Sequence, residues 1–496
     1  MRRRLKASFL FDGMTNPPVF VSLALLAMSA AALVQKPAAS PPIVLTHVAV
    51  IDVTAADSRR ALRLDQTVVI SGDRIVAVDR AGEVPVPRDA QVIDATGQFL
   101  MPGLWDMHVH IFAGGWDTAS VLDLFLAHGV TGVRDMGSNV DRVVALRDEI
   151  ASGARAGPRM VVSGPSVSGL SGTREAPRSE SAENVRREVR RLKEARVDFI
   201  KLYSYLSPAA FLAAMDEARQ VGLPAAGHVP FAVKASAAAR AGLRSIEHLE
   251  GVVLEATDLE EPLREEIALR IREGTLGIQV PEIEVDQAVR YRDSYNVSKL
   301  QTLSAEFVTY DTWHCPTLIS PEAFAHVSDA MQTSFASYPN IEYVPGNVEE
   351  GWKRALSGFS REQSANIGVY AAYKRVLTAA MHRAGAQFLA GTDAAGPGQV
   401  PGASLHEELA LLVEVGLSPM QALRTATASP ARFLGRENDL GAVEQGYVAD
   451  LVLLDDNPLD DIHNTRHISA VILNGRYFGK GELQAMLEDV VARARR

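Results

Sequence analysis

The sequence has a single cysteine, Cys315, among 496 residues, which excludes any intrachain disulfide. That is usual for a cytosolic chain but does not exclude export, because a core of this size needs no covalent staple. An excess of positive charge is also missing: 60 acidic residues against 50 basic ones give a formal net charge of −10. No long Lys/Arg run occurs beyond the amino terminus, so the chain carries no electrostatic footprint for nucleic acid. An acidic balance favours solubility and says little about substrate. No internal repeat is visible, and only one long apolar run occurs. That run, VFVSLALLAMSAAALV at 19–34, follows Arg2, Arg3, Arg4 and Lys6 and leads into Pro37-Ala38-Ala39-Ser40. It is shorter than the roughly 20 residues that span a bilayer. Residues 1–40 therefore read as a signal peptide and linker. The expectation is an exported protein, periplasmic or secreted, with no stable membrane insertion after cleavage.

Apolar residues make up 47% and charged residues 22%, the composition of a globular protein with a sizeable core. The length fits one large domain plus a smaller one. IVLTHVAVIDV, QTVVISGDRIVAVD and AQVIDATGQFLMPG read as short strands, as do GYVADLVLLDDNP and ISAVILNGRYF near the other end. Residues 42–100 and 438–480 are thus expected to close into one small β-sandwich. Between them, 101–437 alternates apolar strands with helical stretches. The predicted strands are Leu100–His110, Val130–Gly137, Arg159–Gly164, Asp198–Ser204, Pro224–Pro230, Ser245–Gly251, Trp313–Ile319 and Phe388–Ala394. Eight strands with helices between them give an α/β fold that closes as a (β/α)₈ TIM barrel. Two long gaps, about 255–310 and 320–387, carry helical pattern and are expected as lids or substrate walls. A short solvent-facing helix is expected at 481–496.

The chemistry concentrates at strand ends. His108 and His110 are two apart, so both imidazoles leave one face of the first strand. Neutral imidazole is a good ligand for zinc and its neighbours. Lys201 sits inside the apolar strand DFIKLYS, where an ammonium is costly unless paired or neutralised, and Tyr203 shares its face. His228 ends AAGHVP, His248 ends SIEHLEG, and Asp393 ends FLAGTDA. Each alone is more readily a structural residue. Together they fall at the carboxyl ends of five predicted strands, the rim where such barrels keep their active sites.

On these motifs the chain resembles the amidohydrolase superfamily: PGLWDMHVH is similar to its strand-one motif and TDA to its final aspartate motif. LHEELALLVEVGLSPMQALRTATASPARFLG and LGAVEQGYVADLVLLDDNPLDDI are also similar to its carboxyl-terminal part. GHVP and SIEHLEG look like its imidazolonepropionase-like and dipeptidase-like branch, whose binuclear members carry a strand-four lysine. The resemblance implies two divalent cations, with zinc the expected metal. His108, His110 and Asp393 would hold one ion and His228 and His248 the other. Lys201, carboxylated by CO2, would bridge them. A free ammonium between two dications would be repelled, whereas a carbamate offsets their repulsion.

The activity this implies is metal-dependent hydrolysis of an amide or peptide bond in a small-molecule substrate. Asp393 would shuttle the proton and Tyr203 would stabilise the oxyanion. Asp106 is expected to orient a ligand histidine, and Arg134 and Asp135 to pair with each other. His314, His406 and Glu407 are expected to be structural, and Tyr343 and Trp352 to line the pocket. Three alternatives stay open: a mononuclear cyclic-amide hydrolase or deaminase, a lactonase or phosphotriesterase, and a binding protein on a retired barrel. Homo-oligomerisation is not readable.

Overall fold

The computed structural model describes residues 41–56, 60–168, 181–273 and 280–496, and the expected signal peptide at 1–40 lies outside them. Strands are short and mostly buried. β1 (Leu104–Val109), β2 (Val130–Asp135) and β3 (Arg159–Val162) form one parallel sheet. β4 (Ile200–Leu202), β5 (Ala225–Gly227), β6 (Ser245–Glu247), β7 (Trp313–Cys315) and β8 (Gln387–Phe388) form a second. Backbone hydrogen bonds join the two sheets on both sides. On one seam Asp198 N donates to Val162 O at 2.8 Å and Val167 N to Lys201 O at 2.8 Å. On the other, Met107 N donates to Ala390 O at 2.9 Å and Asp393 N to His108 O at 2.7 Å. Eight parallel strands thus follow one another in a TIM-barrel-like ring. All six residues of β1 and of β2 are buried, as strands covered on both faces require.

The expected strand 100–110 breaks at Gly103. Phe99–Pro102 pairs antiparallel with Leu451–Leu454, and only Leu104–Val109 enters the barrel. The eighth strand ends at Phe388; 389–394 is irregular backbone that still hydrogen-bonds to β1 and to His314. The strands from the chain ends lie in one mixed eight-stranded sheet, instead of the two stacked sheets of a β-sandwich. Ile43–Ile51 joins its halves, because it pairs with Leu62–Ser71 on one side and with Gln91–Asp94 and Phe99–Pro102 on the other. This sheet has its own apolar core, including Leu45, Val50, Val68, Leu100, Leu451 and Ile472. Sheet and ring belong to one compact unit from Ser40 onward.

The final helix, Lys480–Ala494, is amphipathic and not simply solvent-facing: it buries Leu483 and Val490. Its Arg493 Nε donates to Ser120 Oγ at 2.9 Å on helix Thr118–Ala127.

Both long connections are helical. Val252–Glu255, Glu260–Glu273, Val280–Asp293 and Val297–Thr309 follow β6. Ile319–Gln332, Gly346–Leu356 and Arg361–Arg383 follow β7. They lean on each other: Tyr373 Oη donates to Val253 O at 3.1 Å and Gln363 Nε2 to Asp286 Oδ1 at 2.9 Å. The second reaches the barrel mouth, where Asn347 Nδ2 donates to Gly115 O, in the loop after β1, at 2.9 Å.

Candidate active site

The strand ends bring the singled-out side chains together. His108 and His110 leave β1 with ring centroids 5.5 Å apart. The His108 ring lies 4.5 Å from that of His248, which lies 5.0 Å from His228. Asp393 Oδ1 stands 3.4 Å from His108 Nε2 and 3.2 Å from His110 Nε2. Lys201 pairs with Ala226 across β4 and β5, and is 1% exposed. Tyr203 lies over His228 with centroids 4.4 Å apart.

Backbone detail makes this convergence fit. Gly227, just before His228, sits at φ +135°, where a Cβ would come within 2.3 Å of Leu202 O and 2.9 Å of Lys201 Cδ. Only glycine lets β5 close against the lysine. A Cβ on Gly391 would come within 2.5 Å of Cys315 Sγ and 2.8 Å of His108 N. The approach of Asp393 to β1 thus also depends on a missing side chain.

Each of the four imidazoles is pinned at Nδ1 from outside. His108 Nδ1 meets Glu247 Oε2 at 2.8 Å, and His110 Nδ1 meets Gly137 O at 3.2 Å. His228 Nδ1 meets Ser204 Oγ at 2.7 Å and Glu250 Oε2 at 2.9 Å. His248 Nδ1 meets Thr317 Oγ1 at 2.7 Å. Carbonyl and carboxylate oxygens accept, so on His108 the Nδ1 proton leaves the Nε2 lone pair facing the centre, while His110 donates from Nδ1 to Gly137 O and turns Nε2 to Asp393. His108 Nε2 is buried and makes no hydrogen bond.

Burial and the Lys201 charge push His108 and His228 well below the ordinary imidazole range. Burial and the neighbouring His108 do the same to His248. For His110, burial is outweighed by the hydrogen bond and charge of Asp393, and its proton affinity rises. Burial likewise opposes ionisation of Asp393, but His248, His110 and His108 overcome it and hold the carboxyl well below its usual value. Burial lowers Lys201, against the pull of Glu247, Asp393 and Glu250. Burial raises the Tyr203 hydroxyl, which stays a protonated donor.

Donor atoms of His108, His248 and Asp393 all lie within 4.8 Å of one another. Imidazole nitrogens and a carboxylate are the donor set that zinc and its neighbours favour. The residues fit a divalent cation.

Several expectations are corrected. Asp106 does not touch a histidine ring; it accepts His108 N at 3.2 Å, Thr392 N at 3.0 Å and Thr392 Oγ1 at 2.6 Å. It clamps the backbones that carry His108 and Asp393. Arg134 and Asp135 do not pair, because consecutive strand residues point to opposite faces. Arg134 donates to Met107 O at 2.6 Å, Ser245 Oγ at 2.9 Å and Glu247 Oε1 at 2.8 Å. Asp135 accepts Ile111 N and Ser138 Oγ, both at 2.9 Å. Tyr343 sits edge-on to His128, 6.2 Å away, and Trp352 is buried 5.5 Å from Tyr338. Packing of the second insert thus claims both aromatics that were expected to line the pocket.

Among the residues expected to be structural, His314 is buried edge-on to Phe307, and His406 Nε2 donates to His128 O at 3.1 Å. Glu407 accepts from Arg466 at the surface at 2.7 Å.

Sequence reasoning missed Glu247, Glu250, Ser204, Thr317 and Thr392. Two carboxylates flanking His248 in the buried IEHLEG were the available signal. The other three have none.

The chain matches the Amidohydrolase family over residues 99–260 and 373–477, more than half of its length. The curated Deacetylase Atu3266 of Agrobacterium fabrum is 37% identical over 99 residues, 20% of this chain and 23% of that protein. The match thus spans less than a quarter of that relative. Among solved structures, a bottromycin amidohydrolase superposes with TM-score 0.71 at 21% identity, over 93% of this chain and 91% of that one. A Xaa-Pro dipeptidase with methionine in its active site superposes with TM-score 0.63 at 19% identity, over 88% of this chain and 100% of that one.

Proposed function

The chain belongs to the amidohydrolase family, and from that premise we propose that it hydrolyses an amide or peptide carbon–nitrogen bond at a binuclear metal centre built on Lys201. The observation that carries this reading is the pinning of all four imidazoles at Nδ1, with Asp393 against His108 and His110 and the buried Lys201 close enough to act electrostatically on His108, His228 and His248. His108, His110 and Asp393 hold one divalent ion, zinc by donor type, and His228 and His248 hold the other. Lys201, which burial shifts toward its neutral amine, would supply a shared anionic ligand as a carbamate, formed when its nitrogen bonds to the carbon of CO2 and a proton is released. Bound divalent cations supply Lewis acidity, which acidifies water and polarises a carbonyl.

The chain's own groups do the rest. Asp393, held ionised among three imidazoles, takes a proton from the attacking water and passes it to the leaving nitrogen. Tyr203 donates its hydroxyl proton in a hydrogen bond to the developing oxyanion. The helices after β6 and β7 limit the substrate to a small molecule, and the likeness to a Xaa-Pro dipeptidase supports a dipeptide-like one. The leader-like residues 1–40 support export to the periplasm or medium.

A second reading, one ion between His108, His248 and Asp393, is favoured by the closeness of those three donors. The test is an assay of zinc-loaded protein against dipeptides, N-acyl amino acids, lactones and phosphotriesters, with metal counted per chain. Turnover of an amide with two ions is expected. Turnover confined to esters or phosphotriesters would overturn the substrate class, and full activity with one ion would overturn the binuclear centre.

A further inference from the structure

Outside the metal ligands, two buried charges converge on one turn behind the centre. Lys374, 1% exposed on helix Arg361–Arg383, donates from Nζ to Thr317 O at 3.3 Å. Glu408, fully buried on helix Ala403–Glu414, accepts Ile319 N through Oε2 at 2.8 Å, while its Oε1 makes no hydrogen bond. Lys374 makes no ion pair closer than 4.0 Å with Glu408 or any other carboxylate among the described residues; the Tyr370 ring lies 5.7 Å from its Nζ. Buried charges that do not pair with each other are costly to keep, so the turn they grip is the natural place to look for what they do.

That turn is itself strained. Thr317 is a fully buried β-branched residue at φ +46°, a region such residues rarely enter and keep only when their surroundings impose it. The reward lies in its hydroxyl, which meets His248 Nδ1 at 2.7 Å. His248 is itself at φ +59°, one residue beyond β6; its backbone N donates to Cys315 O at 2.9 Å, and its ring Nδ1 is held by the Thr317 hydroxyl. We propose that Lys374 and Glu408 are positioning residues: from two different helices they brace the 317–319 turn, so that the Thr317 hydroxyl holds His248 with its proton on Nδ1 and its Nε2 lone pair toward the centre. The brace rests on the metal-centre reading above. It ties the helix that closes the second insert to one ligand imidazole, so the position of that helix and the donor geometry of His248 are set together. Neither residue touches substrate.

The test uses the full-length protein with ¹⁵N-labelled histidine, His248 being assigned by its loss in His248→Gln. In metal-free wild type, His248 should show one neutral tautomer with the proton on Nδ1. In Lys374→Met, Glu408→Leu and Thr317→Val it should average between tautomers, and Lys374→Arg should restore the single form. A Zn²⁺ titration against a chelator should show the ion held by His228 and His248 weakened by roughly 10–100-fold, the usual cost of removing an outer partner of a ligand histidine. The ion held by His108, His110 and Asp393 should be unchanged.

If Lys374→Met does not fold, Glu408→Leu and Thr317→Val carry the same comparison. Folded variants with the wild-type tautomer and wild-type affinity for every ion would overturn the brace. A tautomer change in a wild type that takes up only one ion would uphold the brace and overturn the binuclear reading instead.

Discussion

Glu247 shows how much of the centre is decided by single contacts. One of its oxygens takes the His108 Nδ1 proton and the other is held by Arg134 and Ser245. Glu247→Gln keeps the shape but loses the charge that favours this tautomer, and metal affinity should fall roughly 10–100-fold, read by chelator competition; unchanged affinity would remove Glu247 from the site. Lys201→Ala should abolish both activity and retention of the metal pair, measured by turnover and metal content. An active Lys201→Ala enzyme would refute the bridging role.

Two further histidines should contribute to acid lability. Burial pushes His314 and His406 down to about 3 from an ordinary 6.5. Below about pH 6.5 the unfolded chain therefore binds protons that the folded chain does not. The contribution of each histidine is intact above that value and is lost as pH drops, at up to about 1.4 kcal/mol per pH unit. Urea unfolding of wild type and His314→Leu compared between pH 7 and 5 separates this contribution from that of buried carboxyls such as Asp106, Glu250 and Glu284, which burial raises and which act in the opposite sense; the variant should gain on the wild type as pH falls, and a constant difference would mean that His314 is not kept neutral. The candidate ligands were legible because each ends an apolar run or, for Lys201, interrupts one. Thr317, Lys374 and Glu247 were not, because their partners lie 69, 57 and 139 positions away.

Among the elements, β4 carries Lys201 and β5 leads into His228, and the two strands meet through Gly227. A methyl group there collides with Leu202 O and with the lysine. Gly227→Ala should cost at least about 1–3 kcal/mol and release metal. Gly481→Ala, in open space on the last helix, is the control. Equal melting temperatures for the two would show that the contact of β5 with β4 is looser than the geometry requires.

Strand order and the rim of strand ends were readable from alternating apolar runs and helical stretches. Strand lengths were not. Runs such as Pro224–Pro230 and Phe388–Ala394 continue past their paired residues into the irregular backbone that presents the ligands. The break at Gly103 was hidden too, because Phe99–Pro102 and Leu104–Val109 are equally apolar and differ only in their partner strands. The helical inserts were legible as helices. The brace that one of them applies to Thr317 depends on a contact between helices, which periodicity does not encode.

At the scale of the molecule, the centre gathers side chains from β1 and β4 and from the residues that follow β1, β5, β6 and β8. A cation held there ties distant parts of the ring together only while the chain is folded. Removing it should lower stability by about 2.7 kcal/mol relative to protein at a free metal concentration 100 times its Kd, seen as a fall in melting temperature that zinc restores. A melting temperature indifferent to chelator would mean that metal does not couple to this fold.

The most direct measurement is anomalous diffraction at the zinc edge from crystals of the zinc-loaded protein. Two peaks are expected, one beside His108, His110 and Asp393 and one beside His228 and His248, with density for a carboxylated Lys201 between them. An anomalous map with no peak among these residues, from crystals of protein that still cleaves an amide, would contradict the account.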